Sequence, residues 1–255
     1  MKAIKFTLSG NAAFFKKPEF NSYYYFTYGQ IHRVVLLGMF GAMLGLGGYN
    51  KQKDCQSEYP EFYSKLNDIK VAIVPNGEKG HFVKKIQAFN NSTGFASFEA
   101  GGNLIVKEQW LENPSWDIYV LLDGNEWSEK IAQALEKKES IYTLYLGKND
   151  HLANISDVEK VNLSKLVGNL EEVISLCHKK NVKIAKESRG PIIKMKSEIK
   201  IFWQYEEDLP NKLTLQTNHY ELDRLLLTNA KVEIVTDNES FWQLEGNKRA
   251  VIQFI

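Results

Sequence analysis

Lys16 and Lys17 stand in a stretch that opens the chain, and His32 and Arg33 follow where an apolar run begins. These residue types can hold phosphate: lysine as a point charge, arginine as a forked donor, and a helix start through its free N–H groups and dipole. Between the two pairs lie Tyr23, Tyr24, Tyr25, Phe26 and Tyr28, rings able to stack on bases. The same patterns have plainer readings, since aromatic strands often form core, lysine runs often form solvated faces, and Arg33 can pair with a surface acid. Other chemistries find no foothold. The sequence has no Walker-type phosphate loop, no Gly-x-Gly-x-x-Gly after a strand and no Gly-x-Ser-x-Gly elbow. His32, His81, His151, His178 and His219 are isolated from one another, without zinc-site spacing. Cys55 and Cys177 match no redox or metal motif and are expected to be free thiols in a reducing compartment. No metal and no cofactor is expected.

Charge sharpens the phosphate reading. The net charge of the 255 residues is +1. Residues 1–50 hold five Lys/Arg against Glu19, which gives +4, so the remainder sums to −3. Residues 179–200 hold eight Lys/Arg against Glu187 and Glu198, which gives +6. Local cationic patches, not the total, decide whether a nucleic acid is held. The start lacks the apolar core and small-residue cleavage site of a signal peptide. Val34 to Leu46 is uncharged but only thirteen residues long, against the roughly 20 needed to span a bilayer. A cytoplasmic protein with no membrane role is expected.

The elements that must position these residues follow from periodicity. Ala3–Leu8 alternates as a strand, and a loop over Gly10–Asn21 precedes the apolar helix from about His32. Gly38, Gly41 and Gly45 share one face of that helix, which suggests close packing on a sheet, and Gly47-Gly48 should end it. Ile69–Val74 reads as a strand, His81–Phe89 and Asn103–Trp110 as two arms of a long hairpin, and Asp117–Leu122 as a strand. Trp127–Lys138 is an amphipathic helix and Ile141–Leu146 a further strand. This order predicts an α+β chain with a ferredoxin-like (RRM/RAMP) domain carrying an inserted β-hairpin thumb. A linker over Asn149–Glu159 and a helix over Leu163–His178 then lead to short strands at Ile199–Tyr205, Leu213–Thr217, Lys231–Thr236 and Ala250–Phe254. The expected division is residues 1–160, with the thumb at about 81–110, and a small strand-rich C-terminal lobe at 161–255.

The runs "LSGNAAFFKKPEFN", "LLGMFGAMLGLGGY", "YLGKNDH", "YEEDLP" and "YELDRLLLTNAKVEI" resemble the Cas-five family of CRISPR-associated proteins, within the RAMP superfamily. The likeness is greatest to its type I-B branch, the subunits of Cascade surveillance complexes. It runs from residue 1 to about 235, and the glycine-bearing helix and "YLGKNDH" are its most specific parts. The resemblance implies a non-catalytic subunit that caps the 5′ handle of the guide crRNA in antiviral defence. It implies as partners the Cascade large subunit and the backbone filament subunit, with target DNA met indirectly. Matched onto this chain, handle contacts fall on Lys16, Lys17, His32, Arg33, Lys148 and His151, and thumb contacts on His81, Lys84, Lys85, Lys107 and Trp110. The family also has a branch that cuts precursor RNA, so a metal-independent endoribonuclease is the alternative. Such cleavage needs a base for the 2′-hydroxyl and a cation for the developing charge. A protein scaffold docking through the glycine-bearing helix is a third, lesser reading.

Overall fold

The computed structural model describes residues 1–19, 23–55, 57–166, 168, 170–185, 192–195, 198–235, 238–246 and 250–255. In chain order the first elements are β1 (Lys2–Ser9), β2 (Ala12–Ala13), α1 (Arg33–Leu44), α2 (Tyr49–Cys55) and α3 (Glu61–Leu66). They are followed by β3 (Val71–Pro75), β4 (Lys84–Asn90), β5 (Ile105–Glu112), β6 (Ser115–Leu122), α4 (Glu126–Lys137) and β7 (Asn154–Lys165). Beyond β7 come β8 (Leu170–Glu171), β9 (Cys177–His178), β10 (Val182–Ile184), β11 (Ile192–Met195) and β12 (Glu198–Ile201). The chain closes with β13 (Gln204–Leu213), β14 (Tyr220–Thr228), β15 (Val232–Ile234), β16 (Phe241–Leu244) and β17 (Val251–Gln253). The chain is α+β.

Its frame is an antiparallel sheet in the order β17-β16-β7-β1-β6-β3. Alternation along β1 sends Ile4, Phe6 and Leu8 to the main core, where Phe6 meets Phe40 of α1 with ring centroids 6.2 Å apart. The opposite face is apolar at one end, where Ala3, Tyr119, Leu121 and Leu163 pack with Ile252 and Phe254. At its other end it is ionic: Thr7 donates to Asp117 (2.7 Å), and Lys5 pairs with Glu159 at 3.2 Å.

Helix α1 is apolar beyond Arg33, with Leu36, Leu37, Phe40 and Met43 buried and Val35, Gly38 and Ala42 only partly covered. Its N-cap is His32, whose Nδ1 accepts from the Val35 N–H at 3.4 Å, and it stops at Gly45 (φ 75°), before the expected Gly47-Gly48. Gly41 packs on α3 rather than on a sheet: a Cβ added there would lie 2.5 Å from the Phe62 Cβ. Helix α4 starts at Asn125, which accepts from the Trp127 N–H at 2.8 Å, has Glu126 and Glu129 in its first turn, and buries Ile131, Ala132 and Leu135.

The structure corrects the reading downstream of α4. Residues 141–146 form no strand; Tyr145 makes only an isolated bridge with Leu152. The strand that flanks β1 is β7, over residues expected to be a linker and the start of a helix. Its alternation is broken by a bulge opposite Lys5–Thr7, with Asp157 at φ 51°, so Ile155 and Val158 face the same core at a three-residue spacing. The expected boundary at residue 160 falls inside β7. β16 pairs with β7, while Leu209, Leu213, Leu225 and Leu227 enter the main core beside Phe40. The long hairpin β13–β14 replaces the expected strand at Leu213–Thr217, of which Leu213 ends β13 and residues 214–217 belong to the connection to β14. Of the basic block 179–200, residues 186–191, 196 and 197 lie outside the described residues, as do residues 167 and 169 of the expected helix.

Candidate nucleic-acid interface

Strand register brings the candidate segments to one end of the sheet. β1 ends at Ser9, which faces Ser115, the start of β6, and Asn154, the start of β7. β3 ends at Pro75, which faces Trp116. The loop after β1, the hairpin between β3 and β6, and the loop before β7 therefore leave the sheet together. The hairpin pairs Lys84 with Leu111 through to Asn90 with Ile105. The outer edge of β5 takes β2 and Tyr25, whose N–H donates to the Lys107 carbonyl while its own carbonyl accepts from Gln109, both at 2.9 Å. The aromatic segment is thus stitched along the hairpin.

On one face of the hairpin Lys85, Gln87 and Phe89 stand opposite Trp110, Glu108 and Val106. Lys148 reaches this face, its Nζ 2.9 Å from Glu108 Oε2 and 4.8 Å from the centre of the Phe89 ring. Glu108 is buried and also accepts from Trp110 Nε1 at 2.7 Å. His151 stands edge-on to Trp110 at 4.5 Å, and neither of its buried ring nitrogens has a protein partner. Desolvation lowers its pKa below the usual histidine value. Lys85 pairs with Glu112 at 3.5 Å.

The other cations have different company. Lys16 is exposed, with its Nζ 3.9 Å from the Tyr25 ring centre, and Lys107 lies 5.2 Å from that of Tyr24. Tyr24 stacks with Phe26 at 6.2 Å, and Tyr23 is 85% exposed. Lys17 binds Glu207 at 3.1 Å, a carboxylate that also accepts from the Gly29 N–H (2.9 Å) and the Tyr205 hydroxyl (2.5 Å). His81 packs edge-on to Tyr205 at 4.9 Å. Lys84 is exposed at the hairpin base, and partial desolvation with Lys17 nearby lowers its pKa despite the attraction of Glu207. Cations and rings therefore lie on both faces of the hairpin, Lys85, Lys148 and Trp110 on one and Lys84 and Lys107 on the other, and lysines beside rings let a single strand place phosphates on cations and bases on aromatics.

His32 and Arg33 do not belong to this surface. His32 is 1% exposed, enclosed by Phe15, Tyr28 and Tyr220, and burial pushes its pKa down to about 3, so the ring is neutral. Arg33 is 6% exposed and donates to the carbonyls of Asn211 (3.1 Å), Ile69 (3.0 Å) and Asn67. Its guanidinium clamps the start of α1 to β13 and to the turn before β3, so it presents no fork to a phosphate. The helix start is covered by β13 and β14, strands more than 170 positions away in sequence. Conversely, Glu108 and Glu207 belong to the site and were not singled out from sequence, although Glu207 lies in the "YEEDLP" run. Among the described residues no three His, Cys, Asp or Glu side chains converge as a metal ion requires, and no helix is long and apolar enough to cross a membrane.

Neither a protein-family model nor a curated protein matches the sequence. Solved structures do match. A chain of a "CRISPR RNA-guided surveillance complex" is 12% identical, with 91% of each chain covered and a TM-score of 0.50. A "CRISPR protein from Archaeoglobus fulgidus" is 11% identical, with 99% of this chain and 98% of that one covered, again at 0.50. At such identity the likeness is one of fold, and that fold, over nearly the whole chain, is the one found in CRISPR-associated proteins.

Proposed function

We propose that this chain is an RNA-binding subunit of a CRISPR effector complex, holding the 5′ handle of the guide RNA without cutting it. The observation that carries this reading is the convergence, at one end of the sheet, of the β4–β5 hairpin, residues 14–19 and 23–28, and residues 147–153. The strand order β7-β1-β6-β3, with α1 and α4 as crossovers, reads as a ferredoxin-like domain, and β4–β5 as its thumb. The RNA lies along the thumb, with phosphates on Lys16, Lys107 and Lys84 and bases on Tyr23 and Tyr24. The sheet face itself is a poor platform. Its Tyr119 is buried, and Asp117 and Glu159 would repel phosphate.

Burial of His32 supports the non-catalytic reading, because a neutral ring inside an aromatic cage meets no 2′-hydroxyl. The test is direct. Full-length protein is titrated with CRISPR repeat RNA across a salt series, and the same RNA is incubated with the protein in EDTA. Binding whose salt slope falls by about one unit for each of Lys16→Ala and Lys107→Ala is the expected result. A discrete cleavage product in EDTA would replace the proposal with the endoribonuclease reading.

A further inference from the structure

A cavity of about 730 Å³ opens on the outer face of α1, between residues 46–51 and residues 142–147. Gly38 lies on its floor. A Cβ added at Gly38 meets nothing nearer than Phe62 Cε2 at 3.9 Å, an ordinary contact, whereas Gly41 one turn later is forced small by the Cβ of the same residue. Glycine inside a helix is less stable than alanine. At position 38 neither neighbouring atoms nor a positive φ requires it. The helix surface is therefore bare where it faces the cavity, for a reason that the fold alone does not supply.

The walls indicate what covers it. Tyr49, Tyr142 and Tyr145, each about half exposed, rim the opening. Among the described residues of the lining, Lys51 is the one that carries a charge, and none is a carboxylate. The nearby Glu61 is already engaged, accepting from the Gly47 N–H at 2.7 Å and from Lys65 at 2.6 Å. Gly147, the chain neighbour of Lys148, lies at one end, so the cavity abuts the interface described above. A flat floor, tyrosine rings and the Lys51 cation complement a planar aromatic group with an anion attached to it.

We propose that this cavity receives a nucleobase of the bound RNA, laid on the α1 surface at Gly38 among the tyrosine rings, with its phosphate at Lys51. The proposal rests on the RNA-binding reading and adds a base-accepting subsite to it.

The test fills the cavity. Full-length Gly38→Leu is titrated with a fluorescently labelled random-sequence single-stranded RNA, beside Tyr142→Ala and the double variant Lys16→Ala with Lys107→Ala. Loss of one stacked base should weaken binding about tenfold in both cavity variants, with the melting temperature of Gly38→Leu unchanged or raised. RNA carrying 4-thiouridine should photo-crosslink to Tyr142 or Tyr145 in the wild type and lose that crosslink in Gly38→Leu. If the lysine variant alone weakens binding, the subsite is overturned and the interface stands. If no variant weakens binding, both readings fall. Unchanged RNA affinity with loss of a partner protein from the complex would assign the cavity to protein docking and overturn the proposal.

Discussion

Glu108 sets the charge balance on the hairpin face that carries Lys85 and Lys148, opposite the face of Lys84 and Lys107. It accepts from both Lys148 and Trp110, so Lys148 brings no net charge to the surface while the pair is intact. An arriving phosphate competes with this carboxylate for the same ammonium group. Glu108→Gln keeps an acceptor for Trp110 and removes the competitor, so RNA affinity should rise several-fold and the salt slope steepen by about one unit. Anisotropy titrations across salt check this, and weaker binding would show that the pair organises the surface instead of masking it. His32 gives a prediction of stability. In the unfolded chain it titrates near 6.5, and in the folded protein near 3. Above 6.5 both states are neutral and the protein keeps its full stability. As pH falls below 6.5 the unfolded state takes up a proton that the folded state refuses, so stability drops by up to about 1.4 kcal/mol per pH unit. His32→Asn keeps an N-cap acceptor and should flatten that part of the dependence between pH 6.5 and 4. Denaturant titrations at several pH values decide it, and an equal slope in wild type and variant would count against the assignment.

At the scale of elements, α1 holds two glycines with opposite reasons for being small. Gly41 allows α3 to approach until Phe62 touches the helix backbone, and Gly38 faces open space. Gly41→Ala should therefore destabilise by about 1–3 kcal/mol through overpacking, while Gly38→Ala should gain up to about 1 kcal/mol of helix propensity. Urea unfolding of the two variants separates them. Equal shifts in the same direction would mean that α3 moves freely enough to accommodate the methyl. The thumb is likewise more than a loop. Backbone bonds from Tyr25 to Lys107 and Gln109 fix the aromatic segment to β5, so rings and cations are held at a set spacing.

At the scale of the molecule, the last strands complete the frame instead of forming a separate lobe. β16 joins β7, β17 joins β16, and Ile255 exchanges two backbone hydrogen bonds with Val71 of β3. Ile252 and Phe254 cover Ala3, Tyr119 and Leu121 on the second face of the sheet. Truncation before residue 241 should strip that cover and remove most of the roughly 5–15 kcal/mol that a domain possesses. The truncated chain is expected to lose its cooperative melting transition, read by circular dichroism. A transition like that of the full chain would make the closing strands dispensable.

Local periodicity by itself determined β1, α1, β3, the hairpin, β6 and α4, because each buries one face at the period of its own backbone. It also determined which segments carry cations and rings. β7 escaped because its bulge destroys the two-residue period, and β13 because acids and Pro210 interrupt its apolar positions. Only the tertiary structure decided which charges are free to act. Lys17 meets Glu207, Lys148 meets Glu108, and Arg33 meets the Asn211 carbonyl, all partners far away along the chain. Charge and ring type are properties of a residue, but burial and pairing are properties of whatever the fold brings against it, and these separate the exposed Lys16 from the enclosed Arg33.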